Sequence, residues 1–158
     1  MNCSVSVATI DDFDGISEVF EEADILHCQA LPDIFRTTEK PARSKVYISE
    51  CMDRENSVFL VAESGNRIVG VLHITIMETP DWPILVPRRY GLIHDLVVRQ
   101  DYQRLGIGRL LMEKAHGWAM EKGVTQVELT VWEFNEGAIA FYEELGYSTA
   151  SRRMSIRL

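Results

Sequence analysis

Leu96-Val97-Val98-Arg99-Gln100-Asp101-Tyr102-Gln103-Arg104-Leu105-Gly106-Ile107-Gly108 is the stretch on which the reading of this 158-residue chain turns. It passes from a β-branched strand through a polar turn into the start of a helix. Gly106 and Gly108 carry no Cβ, so the backbone there can take positive φ and come close to a ligand. The helix that follows presents unpaired N–H groups and the positive end of its dipole, which suits a phosphate. The segment is a candidate pyrophosphate cradle made of backbone. It is not a P-loop, because no Gly-Lys-Ser/Thr ends it, and it lacks the third glycine of a dinucleotide-binding fingerprint. Taken alone, two glycines ahead of a helix read first as capping or packing.

Working outward, Leu92–Val98 is a strand, and Arg109–Lys122 a helix with Leu111, Ala115, Trp118 and Ala119 on one face and Gly123 just past its end. Val124–Trp132 alternates strictly, with Val127, Leu129 and Val131 on one side and Gln126, Glu128, Thr130 and Trp132 on the other. Asn135 caps a helix over Glu136–Leu145, closed by Gly146. Tyr147–Leu158 reads as a terminal strand or hairpin. Upstream, Ser57–Glu63 and Arg67–Met77 form an antiparallel hairpin around Ser64-Gly65-Asn66. Thr79–Tyr90, with Pro80, Pro83 and Pro87, is a loop. Ser4–Ala8 is a short strand, and Thr9 caps a helix to about Ala23. Asp24–Lys40 has no clear pattern. Pro41 falls in the first turn of a helix reaching about Arg54. The sum is one α/β domain over residues 1–158, a mixed sheet with helices on both faces.

Composition narrows the function classes. Sixteen Lys+Arg against 24 Asp+Glu give a formal net charge of −8, and the pI is near 5.0. Such a surface repels a phosphate backbone, so nucleic acid is a poor partner and a cationic or amine partner a better one. The longest uninterrupted apolar run, Val58–Ala62, is far short of the ~20 residues of a spanning helix, and the first residues do not read as a signal peptide. Cys3, Cys28 and Cys51 are odd in number and scattered, which argues against a disulfide framework or a metal site and for a reducing cytoplasm.

A second motif follows the first. Asn135-Glu136-Gly137-Ala138-Ile139-Ala140-Phe141-Tyr142 opens the helix after the next strand. With Gln103, Gly106 and Gly108 in the earlier loop, and Gly146-Tyr147 after the helix, the sequence resembles the GNAT superfamily of acyl-CoA-dependent N-acetyltransferases. The resemblance covers at least Val58 to Tyr147. It implies a mostly antiparallel mixed sheet in which one strand pair splays open to take acetyl-CoA. It also implies that the loop Gln103, Arg104, Leu105, Gly106, Ile107, Gly108 and Arg109 holds the pyrophosphate through its backbone. Leu96, Val97 and Val98 would pair with the pantetheine arm like an added strand, the Val98 amide polarising the thioester carbonyl. Asn135 would contact the same arm or position the end of the last strand, Ala138 would lie against the arm, and Tyr142 would give a proton to the departing thiolate. Two of these side chains have plainer readings. Asn135 is a sufficient helix cap, and Tyr142 shares a face with Ala138 and Leu145 as a core tyrosine would.

An alkyl amine, pKa ~10, must lose a proton before it attacks. His94 is the first candidate base. It stands two residues before Leu96 and so shares that residue's nominal face unless a bulge intervenes, where some relatives carry Glu. Glu128, facing away from Val127 and Leu129, is the second, with a solvated or salt-bridged carboxylate as the alternative. Asp95 and His73 are further candidates, and a water chain with no dedicated base is another route. Glu18, Glu21, Glu22 and Asp24 form an acidic cluster that either attracts a polycation or is a solvated helix face. The acceptor implied is a small-molecule amine, a protein lysine or N-terminus being the alternative and a non-catalytic acyl-CoA-binding module a third. A homodimer is common in the family, and Met154-Ser155-Ile156 could pair across one.

Overall fold

A computed structural model describes residues 3–158. Five strands form one sheet in the order β1(Cys3–Val7), β2(Ser57–Ser64), β3(Arg67–Glu78), β4(Arg89–Val98), β5(Val127–Leu129). All neighbours are antiparallel except β4 and β5, which run parallel. Four helices accompany them: α1(Phe13–Ala30), α2(Lys45–Met52), α3(Ile107–Glu121) and α4(Glu136–Glu144).

Alternation along the central strands feeds two cores, one on each face. Val58, Leu60, Ala62, Leu72, Ile74 and Ile93 meet Ile107, Leu111, Met112 and Ala115 of α3. Phe59, Val61 and Val71 meet Phe13, Ile16, Val19 and Phe20 of α1 and Ile48 and Cys51 of α2. Leu60, Leu72, Ile74 and Leu111 are fully buried.

Several boundaries differ from those expected. The first helix follows a short 3-10 turn at Ile10–Asp12, whose Asp12 carboxylate accepts the Thr9 amide at 2.7 Å, and runs on to Ala30. No Gly or Pro interrupts 24–30, and Pro32 lies two residues beyond its end. The second helix begins at Lys45, not at Pro41, because the Ser44 hydroxyl accepts the Tyr47 amide at 3.1 Å and caps it. The strand expected over Val124–Trp132 keeps a ladder only at Val127–Leu129. Tyr147–Leu158 forms no strand, and Met154 and Ile156 stand exposed. The segment is held by side chains: Tyr147 Oη to His116 Nε2 at 2.8 Å, Arg152 to Glu133 at 3.2 Å and Arg157 to Asp33 at 2.8 Å. Among the described residues, no helix is long and apolar enough to cross a membrane.

Candidate active site

The β4–β5 ladder spans only Gly91–Ile93 against Val127–Leu129, while β4 continues to Val98. Residues 94–98 therefore have no strand partner on that side. The chain beyond β5 is drawn elsewhere. Trp132 meets Phe35 edge-on at 5.6 Å between ring centroids, and Phe134 meets His27 at 5.8 Å. These contacts tie the continuation of β5 to the end of α1 rather than to β4, which leaves a wedge between the two strands.

One side of the wedge is the glycine loop. Gly106 sits at φ 82° and Arg104 at φ 63°, and the two left-handed residues turn the chain into α3. Among the described residues, no amide from Arg104 to Arg109 donates to another backbone group, and the first helical bond is Leu110 N–H to the Gly106 carbonyl. Those free N–H groups at a helix N-terminus fit an anionic pyrophosphate. Gln103 serves the loop through its side chain, donating from Nε2 to the Val98 carbonyl at 3.0 Å. Gly108 has a reason of its own, since a Cβ there would lie 3.2 Å from Cζ of Phe141. Its missing side chain lets α3 pack directly on α4. Leu105 and Arg109 are exposed, and the Ile107 side chain is buried in the core below.

On α4, Asn135 Oδ1 accepts the Ala138 amide at 3.1 Å, so Asn135 is the cap and the Ala138 N–H is already used. Tyr142 is half-buried, and among the described residues no hydrogen bond holds its hydroxyl. Burial pushes its phenol up to about 12, with the charge of Asp95 adding to the shift. The group stays protonated and can only donate near neutrality.

The other side of the wedge holds a cluster of polar side chains on the α1–α2 face. Here β4 bulges. His73 of β3 faces Asp95 and Ile74 faces Ile93, so His94 is an extra residue without a partner. The bulge reverses the alternation, and His94 and Asp95 both turn to the α1–α2 face while Leu96 packs on the α3 face. The expected common face of His94 and Leu96 is thereby corrected. His94 is exposed, stacks on His73 at 4.7 Å, and places Nε2 3.1 Å from Thr75 Oγ1. Its imidazole is lowered from the ordinary value by desolvation, against the pull of Asp95.

His73 is buried between Phe59, stacked at 4.0 Å, and His94. Its Nε2 lies 3.0 Å from Ser57 Oγ and 3.5 Å from Thr75 Oγ1, and its Nδ1 lies 3.9 Å from Asp95. Burial, aided by His94 and Arg54, pushes it down to about 3. Burial also raises the Asp95 carboxyl, although Arg43 stands 3.7 Å away. Arg43 bonds Asp24 at 2.9 Å and lies over the Phe20 ring.

Glu128 stands apart from this cluster. It pairs with Leu92 at the closed end of the wedge, and Arg88 holds its carboxylate at 2.6 Å. The acidic face of α1 is also largely occupied. Glu18 and Glu22 bind Arg99, Glu21 binds Lys40 and Asp24 binds Arg43. Ser57, Thr75 and Arg43 lie in no motif, and Arg99, inside the loop stretch, was given no role there. Only the break in apolar phase between Ile93 and Leu96 signalled the bulge that brings His94 to Thr75 and His73.

His73 makes the fold acid-sensitive in a definite direction. An unfolded histidine binds a proton near pH ~6.5 and the folded one near 3, so between these values the unfolded state holds more protons. Stability contributed by neutral His73 is present above pH ~6.5 and drains away as pH falls through the window, at up to about 1.4 kcal/mol per unit. Urea unfolding at pH 7 and pH 5 should show wild type losing about 2 kcal/mol more than His73→Gln. Equal losses would contradict the assignment.

Residues 24–147 match the model described as "Acetyltransferase (GNAT) family". An uncharacterised N-acetyltransferase of Methanocaldococcus jannaschii is 31% identical over 140 residues, covering 88% of this chain and 58% of that protein. An L-ornithine N5-acetyltransferase of Arabidopsis thaliana is 36% identical over 71 residues, 45% of this chain and 31% of that one. The chain thus spans about half the length, or less, of these two relatives. A crystal structure of a mutant of the BH1408 protein from Bacillus halodurans superposes with a TM-score of 0.93 at 28% identity, covering 98% of this chain and 99% of that one.

Proposed function

We propose that this chain, which belongs to the GNAT acetyltransferase family, transfers an acetyl group from acetyl-CoA to a primary amine of a small molecule, in a ternary complex of both substrates. The observation that carries the reading is the wedge between β4 and β5, with free helix-terminal amides on one side and an exposed imidazole beside a carboxylate on the other. Acetyl-CoA supplies the activated acyl group. The amides of Arg104 to Arg109 would hold its pyrophosphate, and the β4 edge at Leu96, Val97 and Val98 would pair with its pantetheine arm. The Val98 N–H is the donor for the thioester carbonyl, where negative charge builds up during attack. Asn135 keeps α4 in place, and the Tyr142 hydroxyl, protonated and without a protein partner, is the donor for the leaving sulfur.

On the acceptor side, Asp95 attracts an ammonium ion and His94 takes its proton. Glu128 is a poorer base because Arg88 already occupies it. The small-amine reading is supported by the Arabidopsis relative, named for acetylating the side-chain amine of ornithine. Scattered cysteines favour a cytoplasmic enzyme, and a homodimer would suit the exposed end of the chain.

Thiol release from acetyl-CoA tests this directly, across diamino acids, polyamines, aminoglycosides and lysine-bearing peptides. The expected result is turnover of a small alkyl amine at least about tenfold faster than of any peptide. Faster turnover of peptides would move the enzyme to the protein-modifying class, and no release with any acceptor would sink the reading.

A further inference from the structure

Four polar side chains lie in series on the acceptor face: Asp95, His73, Thr75 and His94, with Ser57 beside His73. Each hydroxyl has one proton and each neutral imidazole has one, so the geometry restricts where the protons sit. His73 turns Nδ1 toward the Asp95 carboxylate. A lone pair there would face an anion, so His73 carries its proton on Nδ1. Its Nε2 is then an acceptor with one lone pair, shared unequally between the Ser57 hydroxyl at 3.0 Å and the Thr75 hydroxyl at 3.5 Å. With the Thr75 proton aimed at His73, Thr75 Oγ1 offers a lone pair to His94, and His94 Nε2 must be the donor across 3.1 Å. The reverse setting, with Thr75 donating to His94, would turn an oxygen lone pair against the His73 lone pair at 3.5 Å and forfeit the weaker, shared contact of the series.

We propose that Thr75 and His73 are positioning residues that lock His94 in its Nε2–H tautomer, so that the Nδ1 lone pair is the one offered to the acceptor amine. The two stacked imidazoles hold opposite tautomers. Thr75 transmits the setting, because its single hydroxyl touches both rings. The function assigned to Nδ1 rests on the acetyltransferase reading above, whereas the tautomers themselves do not.

Two-bond ¹H–¹⁵N correlation spectra of the free protein at pH 8 test the lock without any substrate. The expected spectrum has His94 protonated on Nε2 and His73 on Nδ1. In Thr75→Val the His94 signals shift toward a mixture of tautomers, and kcat falls about tenfold, the effect of one lost hydrogen bond, with KM for acetyl-CoA within about twofold. Thr75→Ser restores both. A His94 protonated on Nδ1 in wild type overturns the proposal, and so does an unchanged His94 spectrum in Thr75→Val. The wild-type and Thr75→Ser spectra decide the matter even if the valine variant does not fold. Opposite tautomers in a protein that releases no thiol from acetyl-CoA would support the lock and reject the acetyltransferase reading, so the two failures are told apart.

Discussion

Replacing His94 with alanine lowers kcat for amine acetylation about 100-fold and leaves KM for acetyl-CoA nearly unchanged. A positioned general base contributes ~10²–10⁴ in rate, and His94 is the exposed member of the polar cluster on the acceptor face. An alkyl amine with pKa ~10 arrives as a cation at neutral pH. Neutral His94 is ready to take that proton, since desolvation holds the imidazole below its ordinary value. The sign of the pH dependence follows. Activity is full where His94 is neutral and falls as pH drops through its pKa, so the acid limb of kcat lies below pH ~6.5. The groups facing His94 are His73, itself neutral, Thr75, and Asp95, whose charge moderates the shift. In His94→Ala this limb disappears. Initial rates of thiol release from pH 5 to 9 measure both effects. A variant within twofold of wild type, with the same acid limb, would remove His94 from the chemistry and leave a water chain as the route.

The second large effect is on stability. Arg99→Met should lower the free energy of unfolding by about 3 kcal/mol. Arg99 is only 6% exposed, although it follows β4 directly. Its Nε donates to the Ile68 carbonyl at 3.0 Å, Nη1 meets Glu22 at 3.0 Å, and Nη2 meets Glu18. Methionine keeps the stem and removes the donors. The carbonyl of Ile68 then loses its charged partner, and α1 loses its tether to the end of β4. The side chain of Glu18 is 63% exposed, so water recovers much of that pair, which keeps the loss at the low end of the ~3–5 kcal/mol typical of a fully buried one. For an m-value of ~2 kcal/mol/M, the urea midpoint moves down by about 1.5 M. Glu18→Gln serves as the contrast and should cost less than about 1 kcal/mol. If Arg99→Met cost no more than Glu18→Gln, Arg99 would be an ordinary surface ion pair.

The residues proposed for the acetyl-CoA side were legible in the sequence because local backbone geometry requires them. Gly106 is marked by its left-handed φ, Gly108 by its contact with Phe141, and Asn135 by its cap, and each demand leaves a residue type at a fixed spacing. The acceptor side was legible only in part. His94 and Asp95 were candidates, but a period of two put His94 on the wrong face, since alternation cannot register an inserted residue. Ser57 and Thr75 are ordinary strand residues until β2 brings Ser57 to His73 and the bulge brings His94 to Thr75. The alternation placed Val127 and Leu129 on one face, where both pack against the α3-side core, yet it overstated the strand. It reports which way side chains point, not whether a neighbouring chain is there to bond. The terminal strand or hairpin expected over Tyr147–Leu158 misled in the same way. The acidic run of α1 read as either an attractor for cations or a solvated face because its partners, Lys40, Arg43 and Arg99, lie far along the chain from most of it.

The unpaired place of His94 in the β3–β4 ladder has a consequence for editing the chain. Every other residue of β4 keeps its facing if His94 is excised outright, because Ile93 already opposes Ile74 and Asp95 already opposes His73. The shortened strand would close into continuous register. The architecture therefore has no need of a residue at this point, and a one-codon deletion would remove the imidazole without leaving a cavity or an alien side chain behind. What the extra residue adds to the molecule is an imidazole, beside a carboxylate, at the point where the two strands begin to part.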